Sequence, residues 1–83
     1  MRLRVRYFAW LRERVGAPEE TVETEAATVA ALVEELRARD EGHALAFADL
    51  RAVRVALDEE LSDLDAALAG VREVAFFPPM TGG

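Results

Sequence analysis

The 83-residue sequence predicts an α+β fold, a mixed sheet of about five strands with one main helix across one face and a flexible C-terminal tail. Three observations carry this expectation. Apolar and charged residues alternate strictly at the start of the chain, and a second alternating apolar run comes near its end. Between them, one long stretch bears an apolar stripe at helical spacing. The elements follow in the order strand, strand, helix, strand, strand, strand, in a chain that can build only one small core.

From Leu3 to Phe8, the residues Leu3, Val5 and Tyr7 fall on one face, with Arg2, Arg4, Arg6 and Phe8 on the other. That is the pattern of a strand with one buried face. The run Phe8 to Gly16 loses the alternation and closes on a glycine suited to a left-handed cap, so a short helical turn is expected. Ala17-Pro18-Glu19 breaks the chain, and Glu20 to Glu25 alternates again around Val22. The two strands read as a hairpin in which Glu20 and Glu23 would face the arginines as weak cross-strand pairs.

Thr28 suits a helix N-cap, and Val29, Leu32, Val33 and Leu36 follow at i, i+3, i+4 and i+7. The spacing predicts a helix to about Arg39, with Glu34, Glu35, Arg37 and Arg39 outside and Glu35 set to pair with Arg39. Asp40-Glu41-Gly42 ends it. Residues 42–49 read as a loop with His43 in solvent. A third strand, Ala52 to Leu57, turns Val53, Val55 and Leu57 inward. Asp58-Glu59-Glu60 makes an acidic turn, Leu61 opens a short fourth strand, and Leu64 and Leu68 flank a brief helical turn before Gly70. The last strand, Val71 to Phe77, puts Val74 and Phe76 on one face and Ala75 and Phe77 on the other. Placing the first and last strands as parallel neighbours at the centre completes a β-grasp arrangement.

Strand parity then isolates two aromatics. Phe8 lies on the arginine side of the first strand, and Phe77 lies opposite Val74 and Phe76 in the last. With one helix covering one face, both belong to the open face, where exposed apolar clusters mark docking sites. The alternative is a second small core beneath the loop 42–50. Beyond Phe77, Pro78 and Pro79 cannot donate to a sheet and hold φ near −65°, so the strand stops and a stiff stalk leaves the body. Gly82 and Gly83 have no side chains and can enter a channel too narrow for other residues. A domain over residues 1–79 with a flexible tail over 80–83 follows.

Composition removes several classes of function. The chain has no cysteine and so no disulfide, thiolate nucleophile or zinc-thiolate site, and with His43 as the one histidine no metal site is expected. Residues 1–16 hold five Arg against one Glu, which leaves −10 on the remainder of a chain of net charge −6. That body is repelled by phosphate backbones and anionic lipid, so neither nucleic acid nor membrane is expected, and a partner with a basic docking surface is favoured. No apolar run is long enough to span a bilayer or to serve as a signal peptide, and a cytoplasmic location is expected. The sequence lacks Lys, Asn, Gln, Ile and Cys, which fits a thermophile or a GC-rich genome. With no lysine, any acceptor for the tail lies on another molecule.

Residues Tyr7-Phe8-Ala9-Trp10-Leu11-Arg12-Glu13-Arg14-Val15-Gly16 resemble the opening YFAxLRExxG of the molybdopterin synthase small subunit family, and Glu73-Val74-Ala75-Phe76-Phe77-Pro78-Pro79-Met80-Thr81-Gly82-Gly83 its closing EVAFFPPxxGG. Departures fall at turns, with Asp58 where the family often has Asn and Val71-Arg72 where it often has Gly-Asp. The resemblance implies a ubiquitin-like β-grasp sulfur carrier of molybdenum cofactor biosynthesis. It implies that an ATP-dependent adenylyltransferase activates the carboxylate of Gly83, next to Gly82, and that a sulfur donor converts it to a thiocarboxylate. The tail would then enter the large synthase subunit and pass its sulfur to cyclic pyranopterin monophosphate. The same resemblance makes Phe8, Leu61 and Phe77 the hydrophobic contacts to partners, and Pro78, Pro79, Met80 and Thr81 the partner-facing approach to the tail. It implies no cofactor bound by the chain itself, ATP being used by the activating partner, no catalysis by the chain alone, and an assembly of two small and two large subunits. A carrier for thiamine thiazole or tRNA thiolation, and a ubiquitin-like modifier or interaction module, stand as alternatives.

Overall fold

The structure, a computed structural model, describes residues 1–79. The expected tail, residues 80–83, lies outside them. The elements are β1 (Arg2–Tyr7), α1 (Ala9–Val15), β2 (Glu19–Glu23), α2 (Val29–Arg37), α3 (Glu41–Ala46), a 3₁₀ turn at Leu50–Ala52, β3 (Arg54–Leu57), β4 (Glu60–Ser62) and β5 (Glu73–Phe77). The strands form one sheet in the order β2-β1-β5-β3-β4, with β5 central. β1 and β5 run parallel, Val5 opposite Val74 and Tyr7 opposite Phe76, and the other pairs are antiparallel. This is the β-grasp arrangement that the element order predicts.

Alternation decides which face is buried. Leu3, Val5 and Tyr7 of β1, Val22 of β2, Val55 of β3, and Val74 and Phe76 of β5 are all buried against Val29, Leu32, Val33 and Leu36 of α2. Thr28 caps α2, its hydroxyl accepting from the Ala31 N–H. Leu11 of α1 joins the same core, and Gly16 ends α1 at φ 92, its N–H donating to the Arg12 carbonyl at 2.8 Å. Phe47 packs edge-on to Phe76 with centroids 4.9 Å apart, an aromatic contact contributing about 0.5–1.5 kcal/mol beyond its area.

Five expectations are corrected. Residues 42–49 are not a loop, since Asp40 caps a short α3 through the His43 N–H at 2.8 Å, and His43 is buried rather than in solvent. Phe47, which follows α3, belongs to the single core, so no second core forms beneath this segment. Glu20 does not face the arginines. It shares Val22's parity and turns inward to Tyr7 and His43, while Glu19 takes its place opposite Arg6 and binds Arg4 through two hydrogen bonds at 2.6 and 3.1 Å. Arg39 pairs with Glu20 at 2.6 Å instead of Glu35, whose carboxylate accepts from Thr24. Between Leu64 and Leu68 the chain forms a turn and an isolated bridge from Ala67 to Thr28, with no helix. Leu68 is nevertheless buried there. The expected Arg2 to Glu23 pair is present at 2.8 Å.

Candidate functional site

The helices and the core occupy one face of the sheet, and the second face has its own order. Register aligns Glu19, Arg6, Ala75, Ala56 and Leu61 in one row across all five strands. Two small alanines at the middle of that row keep the centre of the face low. At the next step along β5, Phe77 stands opposite Arg54, and the Phe8 N–H continues the β1–β5 pairing by donating to the Phe76 carbonyl at 3.1 Å. Phe8 and Phe77 therefore flank the low centre from adjacent strands.

The result is an open groove of about 700 Å³. It runs along β5 from Glu73 through Ala75 and Phe77 to Pro78 and Pro79, with Arg6, Phe8 and Ala9 from one side and Glu59 from the other. Phe8 is 38% exposed although aromatic. Its ring is held by Arg6, whose guanidinium carbon lies 5.1 Å from the ring centroid while its Nη1 stands 3.7 Å from a Glu73 oxygen. Immediately after Phe8 the chain turns from β1 into α1 through Ala9 at φ 54, a left-handed conformation that costs a residue with a Cβ about 1–2 kcal/mol. The strain falls where the chain must leave the sheet abruptly to leave Phe8 on the groove.

Of the residues singled out from sequence, Phe8, Phe77, Pro78 and Pro79 are brought together. Leu61 shares the open face and is 74% exposed, but it lies two strands from β5, about 10 Å away by ordinary strand spacing. It lines a separate hollow with Leu50, Val53 and Leu64. Met80, Thr81, Gly82 and Gly83 lie outside the described residues. Sequence reasoning missed Arg6, Ala9, Glu59 and Glu73 as groove residues. Arg6 and Glu73 share the parity of Phe8 and Phe77, which was a usable signal; the inward reach of Glu59 from a turn had none. The groove is lined by Phe8, Ala9, Ala75, Phe77, Pro78 and Pro79 with three charged groups, Arg6, Glu59 and Glu73, a surface suited to binding an apolar segment with a polar flank. Among the described residues no cluster of three or more His, Cys, Asp or Glu is placed to hold a metal ion, and no helix is long and apolar enough to cross a membrane.

Comparison with known proteins bears on what that binding serves. The model of the ThiS family matches residues 5–83. The chain belongs to the ThiS family. Within reach of that family, the chain is 38% identical over 81 residues to the molybdopterin synthase sulfur carrier subunit of Escherichia coli (strain K12), covering 98% of this chain and 99% of the relative. The resemblance first seen in the opening and closing motifs thus extends over nearly the whole length. Among solved structures, SAMP1 from Haloferax volcanii shares 26% identity and a TM-score of 0.74, with both chains covered in full. A chain from the complex of subunits 1 and 2 of the molybdopterin-converting factor of Helicobacter pylori 26695 shares 25% identity and a TM-score of 0.67, again with both chains covered in full. The family's match takes in the β1 to α1 corner, which carries Phe8, and β5, which carries Phe77.

Proposed function

We propose that this protein is the sulfur carrier subunit of a molybdopterin synthase, and that its open face docks on the large subunit of that enzyme. The observation that carries the reading is full-length similarity to a molybdopterin synthase sulfur carrier subunit together with an aromatic groove at the foot of the segment leading to Gly82-Gly83. In this reading the Gly83 carboxylate attacks the α-phosphate of ATP on an adenylyltransferase, forming an acyl-adenylate and releasing pyrophosphate. A carboxylate is a poor electrophile, and adenylation gives its carbon a good leaving group. Sulfide-level sulfur from a donor then attacks that carbon, the C–S bond forms, the C–O bond to AMP breaks, and a thiocarboxylate results. The sulfur passes to cyclic pyranopterin monophosphate on the large subunit.

The chain's own part is to dock and to deliver. Charge stabilisation and ATP binding belong to the partners in this reading. Two small and two large subunits, and a cytoplasmic location, complete the proposal. A second reading draws on the fold shared with SAMP1, a small archaeal modifier protein, in which the activated carboxylate would form an amide with an amine of another protein.

One experiment separates these readings. The protein is incubated with ATP, the adenylyltransferase and sulfide, and its intact mass is measured. A mass increase equal to exchange of one oxygen for one sulfur, followed by molybdopterin formation with the large subunit and pterin precursor, is expected. Amide-linked adducts on other proteins without sulfur gain would establish the modifier reading instead.

A further inference from the structure

We propose that the groove selects a partner segment carrying a basic side chain about 13 Å from its apolar anchor, with Glu59 as the carboxylate that receives the base. The inference rests on the docking role given to this face above and names the chemistry of what docks there.

The first observation is the balance of charge on the open face. Its arginines are engaged within the chain: Arg2 with Glu23, Arg4 with Glu19, Arg6 with Glu73 and the Phe8 ring, and Arg54 with the carbonyl oxygens of Arg51 and Val53. Glu59 is different. It is exposed, it lines the groove, and among the described residues its carboxylate enters no ion pair. Since Arg6 and Glu73 offset one another, the groove carries one uncompensated charge, and it is negative.

The second observation is backbone conformation. Glu59 sits at φ 73 in the β3–β4 turn, a region that glycine occupies without steric cost. A glutamate here therefore gives up turn stability while directing a carboxylate at an apolar groove.

Geometry then specifies the occupant. From Phe77 back to Glu73 the groove follows four residues of strand, about 13 Å. An apolar side chain seated between Phe8 and Phe77 and a Lys or Arg reaching Glu59 would lie about that far apart on the partner. Charge complementarity of this kind steers association and fixes register more than it adds affinity.

The test uses the large synthase subunit as the probe. Wild-type protein, Glu59→Gln, Glu59→Arg and Phe77→Ala are titrated with it at low and high salt, with circular dichroism to verify that each variant is folded. Glu59→Gln is expected to weaken binding about fivefold at low salt and to flatten the salt dependence, and Glu59→Arg to weaken it further. If Phe77→Ala weakens binding while both Glu59 variants bind like wild type, the face docks without a basic contact and the proposal is wrong although the docking role stands. If Phe77→Ala binds unchanged, or wild type does not bind, the docking role itself fails and the proposal falls with it.

Discussion

His43 Nε2 stands 2.7 Å from Glu20 Oε2, joining α3 to β2 across the edge of the core. The other ring nitrogen, Nδ1, stands 2.9 Å from Asp40 Oδ1. Ionised carboxylates only accept, so this pair of contacts favours the imidazolium, in which both ring nitrogens donate. Glu20 collects two further donors, the Tyr7 hydroxyl at 2.6 Å and the Arg39 guanidinium at 2.6 Å. Burial opposes the charge on His43, but Glu20 and Asp40 outweigh it and hold its pKa above the ordinary value. Burial likewise resists ionisation of Glu20, and its bonds to His43 and Tyr7 with the charge of Arg39 reverse that and hold it low. Burial and the Glu20 contact push the Tyr7 hydroxyl up, so it stays a donor.

Stability should therefore fall as pH rises through the neutral range. A group whose folded pKa is raised contributes fully below its unfolded value, about 6.5 for histidine, and loses that contribution as pH passes the folded value. Urea midpoints measured from pH 5.5 to 9 should decline for the wild type and stay flatter for His43→Gln over the interval where His43 titrates. Because the variant also removes a buried charged hydrogen bond, a loss of about 2 kcal/mol is expected at pH 6. Equal pH slopes for the two proteins would show that His43 is not protonated in the fold.

Phe77→Ala should weaken binding to the large synthase subunit by about 2 kcal/mol or more, the cost of truncating an aromatic anchor, while leaving the fold intact. Phe77 points away from Val74 and Phe76, both fully buried, and keeps partial exposure on the groove. A large drop in melting temperature with unchanged affinity would place it in the core instead.

Asp58→Ala should destabilise the protein by about 1–2 kcal/mol. Asp58 holds φ 48, and its Oδ1 accepts from the Arg72 and Glu73 N–H groups at 3.0 and 2.9 Å, tying the β3–β4 turn to the start of β5. Asn tolerates the same backbone and retains an acceptor, so Asp58→Asn should melt close to wild type. Chemical denaturation of both variants checks this, and similar losses in the two would assign the effect to something other than these bonds.

The architecture was legible because strand parity and one helical stripe are local signals. Leu3, Val5 and Tyr7 declare their face without knowledge of any other residue, and so do Phe8 and Phe77. Glu20 was misread although its parity with Val22 was plain, because a carboxylate is stable on the inner face only when His43, 23 residues later, meets it. His43 in turn was hidden because α3, Glu41–Ala46, is too short to show a periodic stripe, leaving Asp40 as its only start signal. The groove was half legible. Parity found its aromatic walls, but the separation of Leu61 depends on the order β5-β3-β4, and the approach of Glu59 depends on two left-handed residues in the β3–β4 turn.

Gly42 gives the sharpest test of how α1 and α3 meet. Helix propensity alone favours Ala over Gly at this position by about 1 kcal/mol. Packing argues the other way, since a Cβ on Gly42 would collide with the Arg14 carbonyl oxygen. That oxygen belongs to backbone and cannot rotate aside. The end of α1 is also fixed, by the Gly16 N–H on the Arg12 carbonyl and by the Arg14 side chain, whose Nη1 donates to the Leu45 carbonyl at 3.3 Å. Relief of the clash must therefore move α3 outward, loosening the His43 contacts and the burial of Phe47. The steric cost should win, and Gly42→Ala should lose about 1–3 kcal/mol in urea denaturation. A variant as stable as wild type, or more so, would show that the two helices are not in backbone contact.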